Sequence, residues 1–575
     1  MKDIHANPQF RREHTLCLNG EWDFEILSSP FGDGLSEREL KGKIIVPYCP
    51  ESELSGIGYT DFIYYCAYAK RFSLSKSDLS GRVLLRFGAC DYEAFVYVNG
   101  ERVGSHRGGY SSFCFDVTRF VSEGENRIFV LVYDDVADDC PSGKQTFKKH
   151  SYGCFYTRVT GIWQSVWLEF VPNHYIKNVR FTPNAKRGTL SVRADCAGEE
   201  DFSVEVSYEG RRVGSASARI IQYGDLECAL SEKHLWEPGK GRLYDVKLRF
   251  GEDEVYSYFG LRDCGFEGKR FMINRKCVFQ RFVLDQGYHP KGLYTVPTEE
   301  EMREEIAMAT DLGFNGARLH QKAFEPQFLY ECDKAGFMVW EELPSWGIDY
   351  TDLSNVGAVL DEWRELIERD GNHPSIVLWC PANEFWTDEF RGNEYIRLCD
   401  LRYVKLLYEF TKILDPTRPC VDSSGGYHIA ETDLYDFHTY QGAEDTRIYL
   451  SKFEREKKLD IPLLMPPRKE CRAAEFGGQP VMASEFGGIS YCPSSEGWGY
   501  SAASSSEELA ERVAELCSLY MDSPEISGMC YTQLYDIEQE VNGLYYADRR
   551  PKLKEKDKEI VRAVLARRAK IEEVQ

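Results

Sequence analysis

Two glutamates, far apart along the chain, each follow a short apolar run and are candidates for catalysis. Glu384 comes directly after Asn383 in the run SIVLWCPANEF, which begins at Ser375. Glu485 ends the apolar part of the run VMASEFGG, which begins at Val481. Apolar runs rich in β-branched residues are typical of buried strands, and a (β/α)8 barrel presents its catalytic groups where such strands end. Cleavage of a glycosidic bond requires two carboxyl groups, one as a proton donor and one facing the anomeric carbon.

The surroundings of the two glutamates predict different roles. A general acid must stay protonated near neutral pH, which apolar surroundings and a neighbouring negative charge favour. Glu384 is flanked by apolar residues, namely Ala382, Phe385 and Trp386. A nucleophile must stay ionised, which a nearby guanidinium and a phenol donor favour, and Arg318 and Tyr440 are the candidates. We therefore interpret Glu384 as the acid/base and Glu485 as the nucleophile.

Further polar residues near the ends of the predicted barrel strands are candidates for sugar binding. The predicted substrate contacts are Asn383, Arg318, Tyr440, His438, Asp285, His320, Lys322, Trp346 and Gln533. Asn383 is expected to donate a hydrogen bond to the sugar 2-hydroxyl, a contact that strengthens in the transition state. His289, His320 and His438 share no tight spacing, which favours hydrogen bonding over a metal site. We predict no metal and no nucleotide cofactor, since G-x-G-x-x-G and P-loop patterns are missing.

Other acidic residues near these motifs have plainer interpretations. The sequence EFGG occurs twice, and Glu475 lies in a charged stretch whereas Glu485 ends an apolar strand, so we favour Glu485. Glu341 and Glu342 are interpreted as supporting or helix-capping groups. A solvated acidic loop is predicted at Asp536, Glu538 and Glu540.

Composition limits the class of protein. The chain has 575 residues, of which 43% are hydrophobic and 14% aromatic, enough for several packed cores. Its net charge of −23 argues against nucleic acid or an anionic membrane as partner. The 19 cysteines form no C-x-x-C pair, and no signal peptide or long apolar span is evident, so a cytoplasmic protein is expected.

The chain divides into three predicted domains. Residues 1–172 contain short strands and turns without a convincing helix, which predicts a β-sandwich. Residues 173–263 continue with half-exposed strands at the length of an immunoglobulin-like sandwich. Residues 264–575 alternate strands and helices, which predicts a (β/α)8 barrel.

Eight strands are predicted in the barrel, with amphipathic helices between them. The strands are Cys277–Leu284, Asn315–His320, Phe337–Leu343, Ser375–Cys380, Pro419–Ser423, Leu434–Tyr440, Val481–Glu485 and Gly528–Asp536. The clearest helices are Thr298–Leu312, Ser354–Asp370, Asn393–Leu414 and Ser506–Met521. The irregular stretch Tyr449–Pro480 is expected to be a loop over the barrel mouth.

These stretches together resemble glycoside hydrolase family 2, the β-galactosidase, β-glucuronidase and β-mannosidase group. The motifs that carry the resemblance are LNGEWDF (18–24), GGYSSF (108–113), TGIWQSVWLE (160–169), FGLR (259–262), GFNGAR (313–318), NHPSIVLW (372–379), SEFG (484–487) and YTQLYDIEQEVNGL (531–544). The resemblance implies a sugar-binding jelly roll, an immunoglobulin-like domain and a catalytic barrel. It also implies a retaining exo-β-glycosidase with Glu384 as acid/base and Glu485 as nucleophile, in a family that often forms homo-oligomers.

The choice of sugar is argued from one departure from the family pattern. Glucuronidases of the family carry Asn-x-Lys directly before the glycine that is Gly543 here, whereas this chain has Glu-Val-Asn at that place. No lysine is present there to pair with a uronate carboxylate, which disfavours a glucuronide, although Lys322 is an alternative source of charge. We therefore expect a β-galactosidase-like enzyme. The alternatives are a β-glucuronidase or another β-glycosidase of the family and, from another class, a carbohydrate-binding protein without turnover.

Overall fold

The structure, a computed structural model, contains two β-sandwich units followed by a parallel barrel. It describes residues 6–29, 34–135, 139–385, 388–391, 394–398, 401–459, 474–493 and 497–573. Among these residues, no helix combines the length and the apolar character needed to cross a membrane. The cysteines in the same ranges are free thiols, and most of them are buried.

The first unit is a sandwich of two main antiparallel sheets. One sheet has the strand order Thr15–Cys17, Val166–Val171, Arg82–Phe87 and Phe113–Asp116. The other has the order Gly42–Val46, Gly20–Ile26, Tyr65–Leu74, Gly124–Tyr133, Glu93–Val98 and Glu101–Arg107. Alternate residues of these strands point into one shared core, which includes Trp22, Tyr68 and Val130. Two short strands, Cys90–Asp91 and Gly161–Ile162, and the 3-10 turns Leu35–Glu37 and Glu53–Ser55 complete this part.

The second unit is a small sandwich whose five antiparallel strands are hydrogen-bonded into one bent sheet around a core of its own. Its strands are Tyr175–Asn184, Thr189–Tyr208, Arg211–Ala229, Tyr244–Phe250 and Asp253–Phe259. Residues 189–208 form one long strand, which has a register shift between Asp195 and Glu199. A bulge bends the strand there without ending it. A small sheet of Cys264–Glu267, Arg270–Ile273 and Lys276–Cys277 leads into the barrel.

The third unit contains a parallel sheet that wraps into a barrel. Its strands in spatial order are Ile376–Cys380, Met338–Glu342, Gly316–Leu319, Gln280–Asp285, Ile526–Thr532, Val481–Gly487 and Tyr435–Thr439. The first strand along the chain pairs with the last one, as barrel closure requires. Parallel pairing brings the C-terminal ends of these strands to one mouth. The multidomain fold class predicted from the sequence is confirmed, whereas the domain boundaries stay predictions.

The predicted fifth strand, Pro419–Ser423, is not a regular strand, although its chain fills the fifth position. Trp379 N donates to the Pro419 carbonyl at 3.1 Å. Isolated parallel bridges, at Trp379–Cys420 and Asn383–Ser424, hold the segment beside the fourth strand along the chain, Ile376–Cys380, and the residues that follow it. The ladder is interrupted because Pro419 has no N–H and Cys420 N donates to the Asp433 carboxylate at 2.9 Å. The prediction of a strand is wrong in form, but the segment takes the predicted place.

Helices surround the barrel. Those described are Glu299–Leu312, Pro326–Ala335, Val356–Asp370, Leu401–Leu414, Ala443–Glu456, Ser506–Met521, Glu555–Leu565 and Lys570–Glu573. Thr298 caps the first helix, since its side chain accepts a hydrogen bond from Glu301 N.

Two of the predicted elements differ from the structure. The helix predicted from Asn393 begins only at Leu401, because EYIRL (394–398) pairs as a strand with 388–391, and Asn393 itself lies outside the described residues. The predicted loop 449–480 is helical up to Glu456, and its residues 460–473 lie outside the described part.

Candidate active site

The barrel mouth brings the two predicted catalytic glutamates together. Counting the barrel strands along the chain, Glu384 follows the fourth, Ile376–Cys380, and Glu485 lies within the seventh, Val481–Gly487. One oxygen of each carboxylate and one ring nitrogen of His438 all lie within 4.8 Å of one another. Glu384 has a positive φ of 48°, and its N–H donates to the Ser424 carbonyl at 2.8 Å. This uncommon backbone conformation turns its side chain toward Glu485.

His438 links the two carboxylates. Its Nδ1 lies 2.7 Å from Glu384 Oε1, and its Nε2 lies 3.4 Å from Glu485 Oε1. Burial lowers the pKa of His438, but the charge of Glu485 and the hydrogen bond to Glu384 outweigh burial, and the pKa is raised. A protonated imidazole donates from both nitrogens, so one ring can orient both carboxylates.

Arg318 is the central cation of the site. It is fully buried, and its Nη1 lies 2.9 Å from Glu485 Oε1. Its Nη2 lies 2.7 Å from Glu342 Oε2 and donates to Asn383 Oδ1 at 2.5 Å. A planar guanidinium fixes several acceptors at once, which a lysine at this position would not do. Glu342, interpreted from the sequence as a supporting group, therefore anchors Arg318.

Glu485 is held in the ionised form. Burial raises its pKa, but the charges of His438 and Arg318 outweigh burial and lower the pKa to about 2. Tyr440 OH donates to Glu485 Oε2 at 2.5 Å, and the Tyr440 ring stacks on Tyr500 with centroids 3.4 Å apart. The Glu384 side chain, by comparison, is 14% exposed and lies closer to the opening. Trp386, its predicted apolar neighbour, lies outside the described residues.

Asn383 has one hydrogen-bonding atom left over. Its Oδ1 accepts from Arg318, and its backbone N–H donates to Ser345 Oγ at 3.0 Å. Its Nδ2 is buried and has no acceptor among the described residues. A buried amide donor without a partner is costly unless a ligand satisfies it.

His320 also lies in the wall of the site. Its Nδ1 lies 3.1 Å from Glu342 Oε1, and its ring centroid lies 6.5 Å from that of Trp346. Burial and the charges of Lys144 and Arg318 lower the pKa of His320 well below its ordinary value. The ring is therefore neutral at pH 7.

Three predicted substrate contacts are engaged elsewhere. Lys322 is fully buried, and its Nζ donates to the carbonyls of Gly287 and Tyr294 at 2.9 and 2.7 Å. Asp285 accepts from Tyr535 OH at 2.5 Å and from Gly287 N at 3.0 Å. Gln533 donates to Asn542 Oδ1 at 2.8 Å and accepts from Gln286 Nε2 at 2.5 Å. Their side chains thus support the loops of the mouth, and the structure does not place them against the carboxylate pair.

The predicted solvated acidic loop is wrong for two of its three members. Asp536 is buried and lies 2.6 Å from Lys552 Nζ. Glu540 is buried and accepts hydrogen bonds from Tyr156 OH and from Asn542 Nδ2. Only Glu538 is exposed, as predicted. The carboxylates of Asp536 and Glu540 can be buried because Lys552 and Tyr156, which lie elsewhere in the sequence, pair with them.

A segment of the first unit, residues 139–160, reaches the barrel mouth and was missed by the sequence reasoning. Its Phe155 ring lies 5.4 Å from Trp346, and its Lys144 Nζ lies 5.2 Å from the Trp346 centroid. Ser142 N donates to the Trp346 carbonyl at 3.0 Å. The available signal was a cluster of Lys, Gly and aromatic residues between the strands at 124–133 and 166–171, which resembles an ordinary loop.

Three potential metal ligands lie together at the barrel mouth. In the part of the chain that the structure describes, the Glu384, His438 and Glu485 atoms are the one set of potential ligands close enough to hold an ion. The hydrogen bonds described above account for their proximity. The absence of a metal stays a prediction.

Comparisons with known proteins place the chain among glycosidases. Three family models match consecutive segments, namely "Glycosyl hydrolases family 2, sugar binding domain" over residues 62–172, "Glycosyl hydrolases family 2" over 174–262, and "Glycosyl hydrolases family 2, TIM barrel domain" over 266–465.

Individual relatives carry two different names. A β-galactosidase of Thermoanaerobacter pseudethanolicus is 27% identical over 66% of this chain and 51% of its own length. A β-glucuronidase of Rattus norvegicus is 26% identical over 71% of this chain and 66% of its own. The chain spans about half the length of the first curated relatives it matches. A solved Bifidobacterium dentium β-glucuronidase, complexed with coumarin-3-O-glucuronide, has a TM-score of 0.79 at 20% identity, covering 98% of both chains, which shows a shared fold.

Proposed function

We propose, because the chain belongs to glycoside hydrolase family 2, that it is a retaining exo-β-glycosidase that removes terminal β-linked sugars. The observation that carries the proposal is the approach of Glu384 and Glu485 to within 4.8 Å across the barrel mouth. Retaining glycosidases hold their two carboxyl groups about 5–5.5 Å apart, whereas inverting enzymes need about 6.5–9.5 Å to admit a water. The short separation therefore favours double displacement.

In the first step Glu485 attacks the anomeric carbon and Glu384 protonates the leaving oxygen. Glu485 is suited to attack, because its pKa near 2 keeps it ionised and Arg318 holds one oxygen in place. Glu384 accepts from His438 through Oε1, which leaves Oε2 to carry the transferred proton. The glycosidic C–O bond breaks as the ester bond to Glu485 forms, and the departing alcohol takes the proton of Glu384.

In the second step water hydrolyses the glycosyl-enzyme ester. Glu384, now ionised, removes a proton from the water, which attacks the anomeric carbon and releases Glu485 with the β-configuration restored. The unpartnered Nδ2 of Asn383 is the proposed donor to the sugar 2-hydroxyl in both steps. Tyr440 stabilises the free Glu485 carboxylate by donating a 2.5 Å hydrogen bond to it.

The sugar is the finer part of the proposal. The sequence favoured a β-galactoside, because the family's uronate-binding lysine is missing before Gly543. Relatives bear both the β-galactosidase and the β-glucuronidase names, so they favour neither sugar. Lys322, the alternative charge, is occupied by two backbone carbonyls. The choice between a neutral and an acidic sugar therefore depends on the remaining cationic side chains at the barrel mouth.

The test uses 4-nitrophenyl β-glycosides of galactose, glucose, mannose and glucuronic acid. We expect Glu384→Gln and Glu485→Gln each to lower the hydrolysis rate of the best substrate by at least about 100-fold. Glu485→Gly with added azide should form the α-glycosyl azide, because azide enters from the face that the nucleophile has vacated.

The second EFGG sequence provides a matched control. Glu475 is exposed, and Glu475→Gln should retain wild-type turnover. Full activity in Glu485→Gln would contradict the proposal. Tight sugar binding without turnover of any glycoside would instead favour the non-catalytic carbohydrate-binding protein.

A further inference from the structure

Lys144 is a buried lysine at the active-site mouth without a protein acceptor. Only 7% of the residue is exposed. Its Nζ lies 5.2 Å from the Trp346 ring centroid and 6.0 Å from that of Tyr156. Among the described residues, no carboxylate or carbonyl lies within hydrogen-bonding or ion-pairing distance of this ammonium. Cation–π contacts with two rings compensate only part of the cost of burying a charge.

The backbone around Lys144 is fixed from both sides. Gly143 N donates to the Pro344 carbonyl at 3.2 Å, and Tyr156 N donates to the Lys144 carbonyl at 2.8 Å. Gly143 has a φ of +57°, and a Cβ there would meet the Gln321 carbonyl oxygen at 2.1 Å. The loop therefore approaches the barrel so closely at Gly143 that there is no room for a side chain at this position. Lys144 is presented by a preformed scaffold, which reduces the entropy lost on ligand binding.

The contacts of Lys144 place its charge beside the wall of the site, since the Trp346 ring that its Nζ faces at 5.2 Å lies 6.5 Å from the His320 ring. The ammonium contributes to lowering the pKa of both Glu485 and His320, so its field reaches the reacting carboxylate and the facing wall. The other cations near the mouth are already engaged. Arg318 binds Glu342, Glu485 and Asn383, and Lys322 binds backbone carbonyls. Lys144 is thus the described cation at the mouth that retains its full hydrogen-bonding capacity for a ligand.

We propose that Lys144 binds the C6 carboxylate of a β-linked uronic acid whose anomeric carbon lies between Glu384 and Glu485. This inference rests on the proposed function, since it assigns the sugar of the same site. A neutral hexoside offers no negative partner to this ammonium, whereas a carboxylate makes a charge-assisted hydrogen bond with it. Lys144, from the first unit, would then replace the uronate-binding lysine that is missing from the barrel sequence before Gly543.

The experiment compares wild type with Lys144→Met, which keeps a long, unbranched side chain and removes its charge. The kcat/KM values are measured on 4-nitrophenyl β-D-glucuronide, β-D-galacturonide and β-D-galactoside. We expect wild type to prefer one uronide, and Lys144→Met to lower the uronide-to-galactoside ratio by about 10- to 100-fold. The two uronides differ at C4 only, so they separate the two acidic sugars.

Two controls keep the result specific. Lys149→Met removes a lysine of the same loop that is 71% exposed and pairs with Asp61, and it should leave the ratio unchanged. Lys144→Arg should restore part of the uronide preference, because the charge returns in a bulkier form. Thermal melting of each variant checks that it is folded.

Binding of the free sugars separates this inference from the proposed function. Calorimetry should detect D-glucuronate or D-galacturonate binding to wild type, and weaker binding to Lys144→Met. Hydrolysis of the galactoside with no uronide turnover and no uronate binding would overturn the role of Lys144 alone. Uronate binding that depends on Lys144, without hydrolysis of any glycoside, would support Lys144 and overturn the proposed glycosidase.

Discussion

At the scale of single residues, charge placement around Glu485 decides its chemistry. Burial alone would raise the pKa of this carboxyl group and make it a poor nucleophile. The charges of His438 and Arg318 reverse that effect and lower the pKa from 4.5 to about 2. As pH falls, Glu485 therefore stays ionised until about pH 2, well below the pH at which an ordinary glutamate is protonated. The acidic limb of the pH–rate profile should consequently lie well below the pKa of an ordinary glutamate.

Tyr440→Phe tests this assignment. Removing the phenol takes away a 2.5 Å hydrogen bond that stabilises the ionised form of Glu485, so the pKa of Glu485 rises. We expect kcat to fall by about 10-fold or more, since such hydrogen bonds to charged groups contribute about 1.5–3 kcal/mol. The acidic limb of kcat/KM should move toward higher pH, because kcat/KM reports the free enzyme.

Tyr435→Phe is the matched control for Tyr440→Phe. Tyr435 lies at the other end of the strand Tyr435–Thr439, and its OH donates to the Ala474 carbonyl at 3.5 Å. The pH profile of kcat/KM for Tyr435→Phe should equal that of wild type. An unchanged acidic limb in Tyr440→Phe would show that the phenol does not tune Glu485.

At the scale of elements, the mouth depends on a loop that docks between barrel loops. Residues 139–145 contact the segment after the third barrel strand, through Ser142 and Gly143 on one side and Gly347 on the other. A Cβ on Gly347 would meet Ser142 Oγ at 2.1 Å. Two glycines thus allow a close approach that any other residue would prevent.

Gly143→Ala should disturb this docking. The added Cβ would lie 2.1 Å from the Gln321 carbonyl oxygen, and backbone atoms cannot move aside cheaply. We expect a lower melting temperature and a loss of kcat/KM on the preferred substrate of at least about 10-fold, because a displacement of about 1 Å at a site costs that much or more.

Gly153→Ala separates the clash from backbone strain. Gly153 lies in the same loop segment with a φ of +52°, but a Cβ added there would meet no described atom within 4 Å. Both substitutions carry the strain of a left-handed alanine, about 1 kcal/mol. Equal effects of the two variants on activity would mean that the docking of the loop is unimportant.

At the scale of the whole molecule, a buried ion-pair network joins the N-terminal segment to both sandwiches. Arg12 Nη1 lies 2.6 Å from Glu169 in the first sandwich, and Arg12 Nη2 lies 2.9 Å from Asp253 in the second. Nη2 also donates to the Ile176 carbonyl at 2.5 Å. All three charged side chains are at most 3% exposed. The network therefore fixes how the two sandwiches meet.

Arg12→Met should destabilise the chain without altering the mouth. Removing one partner of a buried pair costs about 3–5 kcal/mol, because the remaining carboxylates lose their compensation. We expect a clearly lower melting temperature by calorimetry, with kcat/KM unchanged at 25 °C. Arg71→Met is the control, since Arg71 is 48% exposed in its pairs with Glu39 and Glu125, and it should cost at most about 1 kcal/mol. Similar melting temperatures for the two variants would contradict this role of Arg12.

The sequence by itself determined the fold class and singled out the two glutamates that meet at the barrel mouth. Apolar runs that end in polar residues are local patterns, so Glu384 and Glu485 could be assigned to strand ends before any coordinates. The tertiary structure decided which charged side chains lie at the barrel mouth. Lys322 is withdrawn onto backbone carbonyls, while Lys144, from a different unit, lies at the mouth. A lysine has the same local pattern whether it is solvated, buried or ligand-binding, because its environment comes from contacts with residues far away along the chain.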